Sequence, residues 1–372
     1  MAKQLSALDM HFLIKELKEM EGSRVDQIYN YSHEEIYIQL HKSNVGKKIL
    51  RVIIGKIIFI TETKIIDEAP SGFCMLLRKH LEGKFLDSIQ QLESERILKF
   101  SFSSKDEKKA LYLEFLGKGN AVLCNSEDVI TDCIIRHQFK DRNLAAKEKY
   151  KYPHMDYNLF ELKENMLADL LKKTGKDKVI TCLATELGLG GAYSEEICLL
   201  AGIDKNTAPK NIDSKGISKI LLLLKKLISS KISPSIVYKD KEAIDVVPIG
   251  MELYSSNEKK SFTSFNHALD EYFSSGLNLA KRKESPYTKK IEELKRIIAE
   301  QEISLKGLKE AEEEARNKGE MIYTKYQVIQ EILSEINKAK EKYSWEEIKK
   351  KLKGHKIIKD VDVKDKKVVV DM

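Results

Sequence analysis

Residues 70–102 read PSGFCMLLRKHLEGKFLDSIQQLESERILKFSF. Ser71 has the side chain of a helix N-cap, and Phe73, Leu76, Leu77, His80 and Leu81 recur behind it at helical spacing. Arg78, Lys79 and Glu82 lie off that stripe, and Gly83 supplies the stop. A strand is predicted over 95–102, in which Leu98, Phe100 and Phe102 share one face because side chains alternate along a strand. The same parity turns Arg96 toward the apolar face, where a guanidinium needs a partner.

Outward from this stretch the patterns extend an α+β fold with a mostly antiparallel sheet. A helix is predicted over 5–21, with Met10, Leu13, Leu17 and Met20 as its stripe, Gly22 as its end, and Ser6 and Asp9 at capping-box spacing. Strands are predicted over 24–31, 35–41, 49–54, 57–61, 110–116, 121–125 and 129–136. Residues 150–153 form a connector, and helical patterns run from 159 to about 230. Inside them, TELGLGGAYSEEICLLAG (185–202) places Gly188, Gly190 and Gly191 in a short hairpin between two helices. Ile197, Leu200 and Ala201 share one side of the second helix, which Gly202 ends. Strands return at 235–238 and 243–248, followed by a helix over 264–274, so the helical stretch reads as an insertion before strands that complete the sheet.

From Thr288 the character changes. Ile291, Leu294, Ile298, Leu305 and Leu308 hold heptad positions, with Gln301 the polar exception and Gly319 an interruption. A second helix carries Ile322, Tyr326, Ile329, Leu333 and Ile336, a short one follows Trp345, and 357–370 is β-like with a turn near Asp365. No later helix of similar length covers the heptad seam, so either self-association through a coiled coil or a longer native chain is expected.

The chain has 372 residues, 42% hydrophobic and 33% charged, with a formal charge of +7, enough for two or three domains and a sizeable core. The charge favours RNA, a membrane surface or an acidic protein only weakly. No apolar run is long enough to span a membrane, and MAKQLSALDMHF has no hydrophobic signal region, so a cytoplasmic location is the default expectation. The five cysteines form no CxxC and sit in apolar runs, as buried thiols do, and the histidines lack metal-ligand spacing, so no cofactor or metal is expected. GxSxG, a Walker A loop and a dinucleotide fingerprint are absent.

Each remaining motif has a plain and a functional reading. The glycine hairpin is an ordinary turn, or it aims backbone N–H groups at RNA phosphates. Asp9 closes a capping box, or it meets Arg96. Glu95 and Arg96 open a strand as an internal ion pair, or Arg96 offers its fork of donors to a phosphate or base edge. Arg78 and Lys79 are a solvated helix face, or an extension of a basic surface. The Lys-rich 338–367 region alternates with acids and reads as a solvated face.

Taken in order, LDMHFLIKEL, RVDQIYNY, PSGFCMLLRKHLEGK, ERILKF, LGKGNAVLCN, TELGLGGAYSEEI, SFNHALDEYF and SWEEIKKKLK resemble the NFACT family of NEMF- and RqcH-like ribosome quality-control factors, whose bacterial members were also called fibronectin-binding proteins. The resemblance implies an NFACT-N domain similar to the N-terminal fold of formamidopyrimidine DNA glycosylases over 1–158. It implies a helix-hairpin-helix unit over 159–232, completion of NFACT-N over 233–284, a coiled-coil arm over 285–318 and a small middle domain over 319–372, with NFACT-R lacking. It further implies a non-enzymatic factor that binds the large ribosomal subunit carrying a stalled peptidyl-tRNA, contacts rRNA, and recruits tRNA for C-terminal tailing without mRNA. The family's tRNA-recruiting residues match Asp9 and Arg96. Glu95 stands where the family has Asp, which keeps the charge and adds a methylene. The backbone-binding set would be Gly188, Gly190, Gly191, Arg78 and Lys79. Rival readings are a glycosylase-related nucleic-acid binder, which Ala2 and Lys3 disfavour as catalyst because that family needs a proline nucleophile and a glutamate there, and an adhesin or scaffold.

Overall fold

The computed structural model describes residues 3–31, 34–64, 69–139, 141–274 and 286–371, with the side chains of 274 and 286–292 outside the description. The chain divides into two compact units, Met1–Lys281 and Arg282–Met372. The expected boundary at 284/285 and the heptad side chain of Ile291 fall outside the described residues.

The first unit is α+β. Helix α1 (Ala7–Leu17) starts at Ser6, whose hydroxyl accepts from the Asp9 N–H while the Asp9 carboxylate accepts from the Ser6 N–H, the capping box expected from the spacing. Strands β1 (Arg24–Tyr31), β2 (Glu35–Lys42), β3 (Gly46–Ile53) and β4 (Ile57–Thr61) form one antiparallel meander. Helix α2 (Gly72–Leu81) follows, capped by Ser71, and buries Cys74, Leu77 and Leu81. Strands β5 (Phe85–Gln91), β6 (Ile97–Ser103), β7 (Lys108–Glu114), β8 (Asn120–Asn125) and β9 (Ile130–Cys133) form the second meander. The two meet where Arg24 pairs with Phe85, giving a nine-stranded order β4-β3-β2-β1-β5-β6-β7-β8-β9. Leu98, Phe100 and Phe102 are buried together, as their parity predicts. Strand β5 is absent from the sequence reading. It bulges between Leu86 and Ser88, so Leu86 and Ile89 are both buried three positions apart and the alternation that would reveal a strand is broken.

The sheet's two halves touch through glycines. Gly55, in the β3–β4 turn, and Gly119, in the β7–β8 turn, both have positive φ (+72° and +77°). A Cβ on Gly119 would lie 2.1 Å from the Gly55 nitrogen, so only glycine fits at the contact. Short strands β10 (His137–Gln138) and β11 (Asn143–Leu144) pair beyond β9.

Helices α3 (Glu164–Lys173), α4 (Val179–Glu186), α5 (Gly190–Ala201) and α6 (Ser214–Ile228) build a second core. Gly202 ends α5 in the left-handed conformation, as expected, but Leu200 is 37% exposed and does not join Ile197 and Ala201 inside. The returning strands β12 (Ser235–Lys239), β13 (Glu242–Val247) and β14 (Glu258–Ser261) form their own sheet in the order β13-β12-β14 rather than extending the large one. That small sheet joins the two cores. Ile236 and Val246 pack with the large sheet, while Val237 and Val247 pack with the helices. Helix α1 does the same, sending Met10, Leu13 and Leu17 one way and Leu8 and Phe12 the other. Each such side chain contributes about 2 kcal/mol by burial. Helix α7 (Phe265–Ser274) is tied to α1 by the Glu16 carboxylate, which accepts from the N–H groups of Phe265 (2.8 Å) and Asn266 (2.7 Å).

The second unit carries α8 (Pro286–Thr324), α9 (Tyr326–Lys340), α10 (Trp345–Lys351) and the hairpin β15 (Ile358–Asp362) with β16 (Lys367–Val370). Helix α8 runs through Gly319 and breaks at Lys325, so Gly319 does not interrupt it. Leu294, Ile298, Leu305 and Leu308 are all exposed. A small core gathers Ile332, Ile336, Ile358 and Val361. No helix of the described residues is long and apolar enough to cross a membrane.

Candidate nucleic-acid interface

Three segments meet at the first turn of α1. The turn 92–96 is one of them. Arg96 lies in it, before β6 begins at Ile97, so strand parity does not set its direction. The turn is pinned from several sides. The Gln91 side-chain amide donates to the Ala7 carbonyl and to the Glu95 carbonyl (3.0 Å each). The Ser94 hydroxyl accepts from the Leu159 N–H (3.0 Å), and the Arg96 carbonyl accepts from the Phe115 N–H (2.8 Å).

The glycine hairpin is the second. Gly188 and Gly190 have φ of +64° and +74°, and the Gly188 carbonyl accepts from the Ala7 N–H (3.1 Å). A Cβ on Gly188 would crowd Met155, Ala7 and Ser94, whereas one on Gly191 would meet open space. The third segment is the N-terminal residues 4–6, held where the Leu5 N–H donates to the Lys56 carbonyl (3.2 Å).

Together they enclose a cavity of ≈ 490 Å³ lined by Ser6, Glu95, Arg96, Gly188, Gly190 and Gly191, among others. Five of the eight residues singled out from sequence therefore share one concavity. Arg78 and Lys79 do not line it. Arg78 donates to the Ile28 carbonyl (2.7 Å) and faces Tyr29, on a different part of the sheet. Asp9 is 1% exposed and lies behind the cavity wall. Its Oδ2 accepts from the Ser6 N–H and hydroxyl (2.9 Å each) and faces the Lys3 ammonium (3.3 Å). Its Oδ1 accepts from the Tyr193 hydroxyl (2.8 Å). Asp9 does not pair with Arg96.

The Arg96 guanidinium makes no hydrogen bond or ion pair among the described residues. Burial lowers its pKa, and the neighbouring Glu95 only partly offsets this. Glu95 is 4% exposed, and burial raises its carboxyl pKa, against the pull of a Met155 backbone hydrogen bond. The pair is thus not the closed internal salt bridge of the plain reading. It is a desolvated cation beside a desolvated acid at the edge of a cavity, a pairing that attracts an anionic or hydrogen-bonding ligand. Gly190 and Gly191 open a 12-residue helix on the same cavity, where N–H groups lack intrahelical partners.

A larger groove of ≈ 1160 Å³ adjoins this cavity and shares Leu116 with it. Its wall includes Lys118, Phe139, Lys151, Tyr152 and His154. Phe139 is 44% exposed, and the Arg142 guanidinium sits 4.7 Å over its ring. Arg142 is itself held by the Glu114 carboxylate (2.5 and 3.0 Å). Sequence reading passed over these residues because 137–154 has no helical or strand period. The only signal was a cluster of aromatics and cations in a loop. All five cysteines are buried and unpaired, and no metal-holding cluster occurs among the described residues.

Two structures of bacterial adhesin-named proteins share this fold. The N-terminal part of the fibronectin/fibrinogen-binding protein of Streptococcus suis superposes with a TM-score of 0.58 at 22% identity, over 73% of this chain and 99% of that one. The fibrinogen binding protein of Staphylococcus aureus gives 0.60 at 17%, over 73% and 99%. In sequence, the chain is 33% identical to the archaeal Rqc2 homolog aRqcH of Methanocaldococcus jannaschii, over 96% of this chain and 55% of that protein. It is 27% identical to the ribosome quality control complex subunit NEMF of Homo sapiens, over 94% and 35%. It therefore spans about half the archaeal relative and a third of the human one. Residues 6–369 match the family described as NFACT N-terminal and middle domains, and the chain belongs to the NFACT family.

Proposed function

We propose that this chain is the RNA-binding part of a ribosome quality-control factor, and that the cavity between the 92–96 turn and the glycine hairpin receives tRNA. The observation that carries this reading is the half-buried Arg96, whose guanidinium has no partner among the described residues and which lines the same cavity as the amino end of α5. A guanidinium offers a planar fork to a phosphate or a base edge, and the helix N-terminus offers N–H groups to a phosphate. Glu95 accepts hydrogen bonds from the same ligand. The adjoining groove supports the reading, since exposed aromatics interleaved with lysines suit unpaired nucleotides.

The relatives' names support the cellular context. The protein binds the large ribosomal subunit and its rRNA in the cytoplasm and positions tRNA for C-terminal tailing, with the ribosome supplying peptidyl transfer. Crosslinking of the full-length protein followed by sequencing of bound RNA tests this. Specific tRNAs recovered with large-subunit rRNA are the expected result. Recovery of no RNA, or tight binding to abasic duplex DNA in place of tRNA, overturns it.

A further inference from the structure

Asp9 is the acid that the family resemblance assigns to tRNA, yet it is sealed from solvent and both its oxygens are engaged. What surrounds it is a second, internal assembly. Lys3, whose side chain is 10% exposed, bridges Asp9 Oδ2 (3.3 Å) and Asp245 Oδ1 (3.0 Å). Asp245 Oδ2 accepts from the Tyr254 hydroxyl (2.7 Å), and Asp9 Oδ1 from Tyr193 (2.8 Å). Burial opposes the Lys3 charge, but Asp9 and Asp245 outweigh it and hold the ammonium protonated.

Resting on the RNA-binding reading of the cavity, we propose that Asp9 touches no RNA and that Lys3, Asp9, Asp245 and Tyr193 form a buried charged clamp that positions the glycine hairpin and α5 against Ser6. The path is short. Tyr193 lies in the first turn of α5, two residues beyond Gly191, so its bond to Asp9 fixes that helix end to α1. Ser6 is held by the same carboxylate, and its Cβ lies 3.6 Å from where a Gly190 side chain would begin. Lys3 anchors Asp9 in turn to the small sheet that carries Asp245. The clamp thus fixes where the α5 N–H groups sit relative to Arg96. Loosening it misplaces them without removing any group that contacts RNA. Lys3 and Tyr193 are positioning residues on this account.

The test compares Lys3→Met and Tyr193→Phe with Arg96→Ala in the full chain, using an unmodified tRNA transcript as probe and fluorescence anisotropy over a salt series. Tyr193→Phe should weaken binding about tenfold, the worth of one hydrogen bond to a charged group. The salt slope should stay at the wild-type value, because no cation that neutralises a phosphate is lost. Arg96→Ala should flatten that slope by about one. Hydrogen exchange should rise at the Ser194 and Glu195 amides, the first of α5 with intrahelical acceptors, in both clamp variants while the rest of the first unit keeps its protection. Lys3→Arg should restore binding, and it stands in if Lys3→Met does not fold. Wild-type affinity and exchange in Tyr193→Phe overturn the clamp while leaving the cavity reading intact. A flattened slope in a folded Lys3→Met places Lys3 on the RNA and also overturns it. Unchanged binding in Arg96→Ala removes the cavity reading, and the clamp with it.

Discussion

The Tyr193 hydroxyl donates to Asp9 Oδ1 at 2.8 Å, across 184 positions of sequence, and so joins the helix after the glycine hairpin to the first turn of the N-terminal helix. Both residues are at most 1% exposed, and Lys3 lies on the other Asp9 oxygen. The bond is one strand of a buried polar network, where removing one member strands the others.

Asp9→Ala is therefore expected to destabilise the first unit by about 3–5 kcal/mol, because it leaves the Tyr193 hydroxyl and one side of Lys3 without a partner in a buried site. Chemical denaturation followed by a probe in that unit measures it. A loss below about 1 kcal/mol, the value of the cap alone, would mean that the network contributes nothing beyond capping.

The Gly55–Gly119 contact makes a sharper steric prediction. Gly119→Ala should cost at least about 3 kcal/mol, because it adds a backbone overlap to the 1–2 kcal/mol of a left-handed residue with a side chain. Gly117→Ala, also at positive φ (+55°) but with nothing within 4 Å, should cost only the conformational part. Equal melting temperatures for the two variants would contradict the contact.

Much of this was legible in the sequence, and the failures have separate physical causes. The capping box at Ser6 and Asp9, helix α2 behind Ser71, the glycine hairpin and the face of Leu98, Phe100 and Phe102 all follow from spacing over a few residues. Strand β5 was hidden because a bulge shifts the phase of its alternation. Strand parity could not orient Arg96, because the turn, with Glu93 at φ +52°, runs through Arg96 and the strand expected from 95 begins at Ile97. The partners of Asp9 were invisible for a different reason. Lys3 is near in sequence, but Asp245 and Tyr193 arrive by tertiary folding, and no local period points to them. The groove lined by Phe139 and Tyr152 was missed because loops carry function without periodicity.

Glu107 sits in the turn between β6 and β7. Glu107 accepts from Lys109 (2.8 Å) and Lys84 (2.7 Å), and these two contacts, Lys109's the larger, hold its carboxyl down at about 2. A depressed carboxylate contributes stability above its unfolded value, and that contribution is lost as pH falls through the folded value. The Glu107 carboxylate is 45% exposed, so screening keeps the effect small. Glu107→Gln should melt below wild type at pH 6, the gap should narrow between pH 4.5 and about 2, and the two curves should converge below that. A gap that persists unchanged at pH 2 would assign the loss to packing rather than to the charge.

On the proposed reading, Arg96 is held ready for RNA rather than for the fold. The direct measurement is the tRNA affinity and the melting temperature of Arg96→Ala taken side by side in the full chain. With no partner for its guanidinium among the described residues, the variant should melt within a few degrees of wild type, as surface-type substitutions do, and should lose at least about tenfold in affinity. A variant that unfolds, or one that folds and binds tRNA as wild type does, contradicts the account.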